Sequence, residues 1–162
     1  MIGRPERDDV VLAVVFGAVS MPWTYAFLAL GVPLWPAFVA SATYCAAGGG
    51  REGLVRGYAS NLAGILYAAA TLWIAAAVGG GPIVLAVVVG AFMLLASLHA
   101  AVPLLSVLPG GFFGYATAFS VHEAGRTVLL PGLAGETVAT ALAMLVGALI
   151  GIGTDAASDR LG

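Results

Sequence analysis

Apolar residues fall into six blocks along this chain, and their lengths follow one rhythm twice. The first block runs from about Val10 to Leu30 and the third from about Leu54 to Val78. At ~1.5 Å per residue both are long enough for helices that cross a hydrocarbon core of ~30 Å. Between them, Pro33 to Ala47 offers only about fifteen apolar residues, which reach ~22 Å as a helix. The second half repeats the order: Pro82 to Val102 is long, Pro109 to Val121 short, Leu129 to Gly151 long. The pattern predicts an all-α integral membrane protein with six transmembrane segments. Segments 2 and 5 are tilted, irregular or incomplete spans. The run after Val10 is too long for a signal-peptide core and has no clean cleavage site, so it reads as the first membrane helix. Neither end is long enough for a soluble domain, so residues 1–162 are expected to form one membrane domain.

The halves also match in residues. Phe38-Val39-Ala40-Ser41-Ala42-Thr43-Tyr44 resembles Phe112-Phe113-Gly114-Tyr115-Ala116-Thr117-Ala118-Phe119, and Gly50-Arg51 resembles Gly125-Arg126 seventy-five positions later. Continuing that offset pairs Asn61 with Glu136. Three spans per half is an odd number, so the second repeat (82–153) is expected to enter the membrane from the side opposite to the first (10–78). This is the inverted-repeat plan of many transport proteins. The connection Gly79-Gly80-Gly81 carries no charge and would join the halves on the outer side.

Composition agrees. A chain that is 61% hydrophobic and 9% charged, with mean hydropathy +1.05, lies outside the usual soluble range of about a quarter charged residues. There is no lysine, the net charge is −2 and no basic run exists, which excludes nucleic acid as a partner. With the N-terminus inside, Arg4, Arg7, Arg51, Arg56 and Arg160 fall on the cytoplasmic side and Arg126 alone outside, as the positive-inside rule requires. Cys45 stands alone in an apolar stretch and reads as a small core residue.

Few residues carry chemistry. Glu136 lies in an apolar run where an unpaired carboxylate would cost roughly 2.5–3.5 kcal/mol. Asn61 is the only asparagine, in a chain without glutamine. Both are pathway candidates, with contacts to neighbouring helices as the alternative and, for Glu136, an interfacial position with helix 6 starting late. Ser41, Thr43 and Tyr44 on segment 2, and Tyr115, Thr117 and Ser120 on segment 5, group hydroxyls that can replace a solute's water or serve helix packing. Trp23 and Tyr25 are candidates for an apolar constriction, and Trp35 and Trp73 for an aromatic belt. His99, His122, Arg51 and Arg126 are candidates for the mouths of a pathway. Pro109-Gly110-Gly111 is either a headgroup-level loop or packed within the protein, since bare backbone facing lipid is costly. Gly53 and Gly57, Gly110 and Gly114, and Gly147 and Gly151 have the spacing that lets helices touch closely. No metal-ligand spacing, nucleophile–base arrangement or nucleotide motif is present, so neither an enzyme nor a cofactor is expected.

Trp35-Pro36-Ala37-Phe38 through Thr43-Tyr44, followed by Gly49-Gly50 and Gly53-Leu54, resembles the YcdZ-type inner membrane proteins of bacteria. Ser106 to Gly114, with Thr117 and Phe119, is similar to a second signature of that family, a domain of unknown function. The resemblance implies a small multi-pass protein of the bacterial inner membrane and supplies no catalytic residues. The expected activity is a channel or facilitator for a small neutral or weakly polar solute, working in the lipid bilayer as a homo-oligomer. A structural or accessory membrane subunit, and a proton-coupled transporter using Glu136 with His99 or His122, are the alternatives.

Overall fold

The computed structural model describes residues 7–125 and 132–161, and those residues form helices joined by short turns. In chain order they are α1 (Arg7–Ala29), α2 (Trp35–Ala46), α3 (Gly50–Ala77), α4 (Pro82–His99), α5 (Leu108–Ala124) and α6 (Gly132–Leu161). A single 3₁₀ turn, Pro103–Leu105, precedes α5. Four of them, α1, α3, α4 and α6, are long and apolar enough to cross a membrane. The 12 residues of α2 and 17 of α5 reach only ~18 and ~25 Å. The alternation of long and short blocks is therefore present in the fold.

Local chemistry sets the ends. Pro36 and Pro109 lie in the first turns of α2 and α5, where a missing N–H costs nothing. Gly48, Gly49 and Gly50 all take positive φ, of 91°, 70° and 62°, and turn the chain back between α2 and α3. Side chains with a Cβ avoid that region, so three consecutive glycines make this turn. Two helices extend beyond the apolar blocks. α3 begins a turn earlier, taking in Arg51 and Glu52, and α6 continues past Gly151 to Leu161. Hydropathy falls at Asp155, but that carboxylate has a partner in Tyr44, so the helix has no reason to stop there.

Packing exchanges partners between the two halves of the chain. The most extensive interface is α3 on α5, and the next is α2 on α6. α4 packs on α3 and α5, α1 on α6, and α3 and α6 on each other. Each short helix thus lies on a long helix from the other half. The buried residues of α3 form one stripe at helical spacing: Gly57, Ser60, Asn61, Gly64, Ile65, Ala68 and Thr71. Those of α6 repeat it with Thr140, Ala143, Met144, Gly147, Ala148, Gly151 and Thr154. In the short helices Pro36, Ala37, Ala40, Ser41, Thr43 and Tyr44 correspond in spacing to Gly110, Gly111, Gly114, Tyr115, Thr117 and Ala118. In the short helices this register keeps the match of Phe38 with Phe112, whereas in the long helices it departs from the seventy-five-residue match. It aligns Asn61 with Met144, about two turns further along α6 than Glu136.

At the centre of these stripes backbones meet. A Cβ on Gly64 would collide with the carbonyl oxygen of Gly111, and one on Gly114 with that of Asn61. On α6, a Cβ on Gly147 would collide with the carbonyl oxygen of Ala37. Only glycine allows approach this close. The small-residue spacings seen in the sequence thus serve contacts within the chain. By contrast, Gly90 on α4 has open space where its Cβ would be.

Gly64→Ala and Gly147→Ala should each destabilise the purified protein by about 1–3 kcal/mol or prevent folding, because backbone cannot yield as a side chain can. Gly90→Ala should stabilise it by up to about 1 kcal/mol through helix propensity. Thermal unfolding in detergent, followed by circular dichroism, measures both. Equal effects at the three positions would contradict the crossing geometry.

Candidate functional site

In an apolar bundle most hydroxyls bond to the carbonyl one turn back, and several here do so. Thr140 donates to Glu136 O at 2.8 Å and Thr154 to Ile150 O at 2.9 Å. Polar groups on the inner face of α3 also reach across to other helices, Thr71 while donating to Tyr67 O at 2.8 Å. Asn61, fully buried, lies 3.0 Å from the Thr43 hydroxyl of α2 through Oδ1. Thr71 and Tyr115 of α5 share a hydrogen bond of 2.8 Å. The Tyr67 hydroxyl is 3.2 Å from Nδ1 of His99. From Ser60 to Thr71 these residues span ~16 Å along α3. On the other crossing, Ser41 donates to Gly147 O at 2.7 Å.

Three polar atoms in this region have no hydrogen-bond partner among the described residues: Ser60 Oγ, Asn61 Nδ2 and His99 Nε2. Their residues are buried, His99 keeping 6% of its surface. Ser60 and His99 flank the first turn of α5, and Asn61 lies one turn on, against Gly114. A Cβ on Gly110 would lie 2.9 Å from Ser60 Cβ and 3.0 Å from Thr43 Cγ2, and one on Gly111 2.9 Å from His99 Cε1. Pro109-Gly110-Gly111 is therefore packed against protein, the second of the two arrangements open from sequence.

Two further polar contacts tie down helix ends. The Tyr44 hydroxyl donates to the Asp155 carboxylate and accepts the Gly50 N–H at 2.7 Å, joining α2, α3 and α6. His122 Nδ1 sits 2.6 Å from Glu136 Oε2, joining the end of α5 to the start of α6. Arg56 is bonded to Glu52 at 2.6 Å and to Ser106, which precedes α5.

The candidates therefore separate. Ser41, Thr43, Asn61, Tyr115 and Thr117 are buried between the halves, and Tyr44 closes one end. Glu136 is at the start of α6, paired with His122 and apart from Asn61. Ser120 points away from the bundle and bonds to Ala116 O at 2.9 Å, because it lies off the stripe of Tyr115 and Ala118. Trp23 is buried against Phe27 and Phe38, whereas Tyr25, two residues on and so on another face, is 76% exposed. A shared constriction of those two is excluded. His99, expected at a mouth, is interior because the last turn of α4 lies against the first turn of α5, where a Cβ on Gly111 would come within 2.9 Å of His99 Cε1. His122 is partly exposed and Arg51 exposed, while Arg126 lies outside the described residues.

Sequence reasoning missed Ser60, Tyr67, Thr71 and Asp155. Ser60, Asn61 and Thr71 share one helical face, and Tyr67 and Thr71 stand four residues apart, so helical spacing from Asn61 was the available signal. Asp155 carried none, since it reads as part of a charged tail.

A family model described as Protein of unknown function (DUF1097) matches residues 13–158, from within α1 to the last turns of α6, and the chain belongs to that family. No curated protein and no solved structure matches it.

Tyr44→Phe removes a buried donor to Asp155 and an acceptor for Gly50 N–H, and should cost about 1–3 kcal/mol in thermal unfolding. Tyr25→Phe, at an exposed position, should stay within about 0.5 kcal/mol. Equal losses would dismiss the Tyr44 clamp.

Proposed function

We propose that this DUF1097 member is a membrane channel or facilitator for a small neutral or weakly polar solute, with a pathway between two inverted three-helix halves. One observation carries the reading: hydroxyl, amide and imidazole groups continue for ~16 Å along the inner face of α3, in a bundle whose outer surface is apolar. Such groups can replace the water of an uncharged solute stepwise. The partner exchange, α3 on α5 and α2 on α6, supports the inverted arrangement, as do the matching buried stripes. The arginine distribution supports cytoplasmic termini, and the YcdZ-type resemblance supports a bacterial inner membrane. Assembly as a homo-oligomer belongs to the same proposal.

A second reading, a structural or accessory subunit without transport, is favoured by the glycine crossings, where backbones touch and leave no bore. A proton-coupled transporter would draw on the His122–Glu136 pair, and flux that follows an imposed pH gradient would mark it.

Stopped-flow light scattering of proteoliposomes, with water, urea, glycerol and formamide as solutes, tests the proposal. At least one should cross faster than in protein-free vesicles. Asn61→Leu should slow it about tenfold, the equivalent of ~1.4 kcal/mol in the barrier. Ser97→Ala, at an exposed hydroxyl on α4, should leave it unchanged. Protein-free rates for every solute would sink the pathway and leave the accessory role.

A further inference from the structure

We infer that Ser60, Asn61 and His99, set along the first two turns of α5, form a binding site for a small uncharged molecule that both donates and accepts hydrogen bonds. The donor count makes the argument. Thr43 lies 3.0 Å from both Val39 O and Asn61 Oδ1, yet its hydroxyl has one proton. If that proton goes to Asn61, both amide N–H groups of Asn61 remain. If it goes to Val39 and the Asn61 amide turns to donate to Thr43, one N–H and the carbonyl oxygen remain. Either way Asn61 keeps a donor with no acceptor among the described residues. Ser60 adds a hydroxyl that, unlike Thr140 and Thr154, makes no bond one turn back. His99 adds Nε2, a donor or an acceptor according to how Nδ1 and Tyr67 share their proton.

Buried polar groups left without partners are costly, and one such group is an ordinary imperfection. Three along the glycines of one helix, Gly110, Gly111 and Gly114, are a recognition surface. Charge and size narrow the class. Ser60, Asn61, His99, Thr43, Gly110 and Gly111 include no carboxylate and no guanidinium. The arginine one turn earlier, Arg56, is held by Glu52 and Ser106. Neither an anion nor a cation therefore finds a counter-charge in the site. A Cβ at Gly110 or Gly111 would already come within about 3.0 Å of its neighbours. Packing this close admits at most a molecule of few heavy atoms, and water and small amides share the required chemistry.

This assignment deepens the pathway reading and rests on it for what occupancy means, but binding and flux are read separately. The test uses the full chain in nanodiscs with ring-¹⁵N histidine, and formamide as the probe. The His99 Nε2 resonance should shift saturably with formamide or show a direct proton exchange peak to a bound water, while His122 does neither saturably. A formamide shift identifies a small-amide site, and the water peak without it a water site. Asn61→Leu should weaken the formamide response at least about tenfold, or remove the water peak. Ser60→Ala, the gentler change, should weaken either while leaving the His122 resonance in place, which guards against misfolding. Neither signal at His99, or equal responses at both histidines, overturns the site. Occupancy without flux removes the pathway and keeps the site, whereas flux without occupancy removes the site and keeps the pathway.

Discussion

Two backbone crossings hold this bundle together. At one, Gly64 and Asn61 of α3 meet Gly111 and Gly114 of α5, and at the other Gly147 of α6 meets Ala37 of α2. In lipid, apolar side chains gain nothing by leaving the solvent, so helices associate through close van der Waals contact and hydrogen bonds. Glycine at the crossing provides the first, and the hydroxyls that flank it provide the second. Ser41 beside Gly147, and Thr71 with Tyr115 beyond Gly64, show the two devices working at the same places. The outer helices α1 and α4 touch the bundle along far less of their length.

The crossings also explain where the polar groups end up. A short helix that touches a long one backbone to backbone brings its own first turn deep against that partner. Whatever lines the long helix at that level becomes buried. For α5 this is Ser60 and Asn61, joined by His99 from the end of α4. For α2 the corresponding positions on α6 are Ala143 and Met144, which ask for no partner. The two halves are alike in packing and unlike in polarity, and the candidate site belongs to one of them.

Much of the architecture was legible in the residues. Long and short apolar blocks, the prolines at both short helices and the glycine turn at Gly48 to Gly50 are local features, and local geometry follows from them. The hydroxyls of both short segments were also identifiable, and all but Ser120 face inward. The pairing of Asn61 with Glu136 was not a guide to space. In a chain rich in glycine and alanine a sequence match can slip by two turns at little loss, whereas a crossing cannot, since moving it puts a Cβ into a carbonyl oxygen. Glu136 looked like an intramembrane charge because its apolar neighbours are local, and its partner His122 is on another helix.

The sequence by itself determined that this is a helical membrane protein with two undersized helices and glycines suited to close contact. Apolar length and backbone preference are properties of a segment and need no partner. Only the tertiary structure decided which helices exchange between the halves, that His99 is interior, and that Ser60, Asn61 and His99 all lie against the glycines of α5. Those facts depend on which surfaces come within a few ångströms of each other, and in an apolar solvent that is settled by the missing Cβ atoms at the crossings.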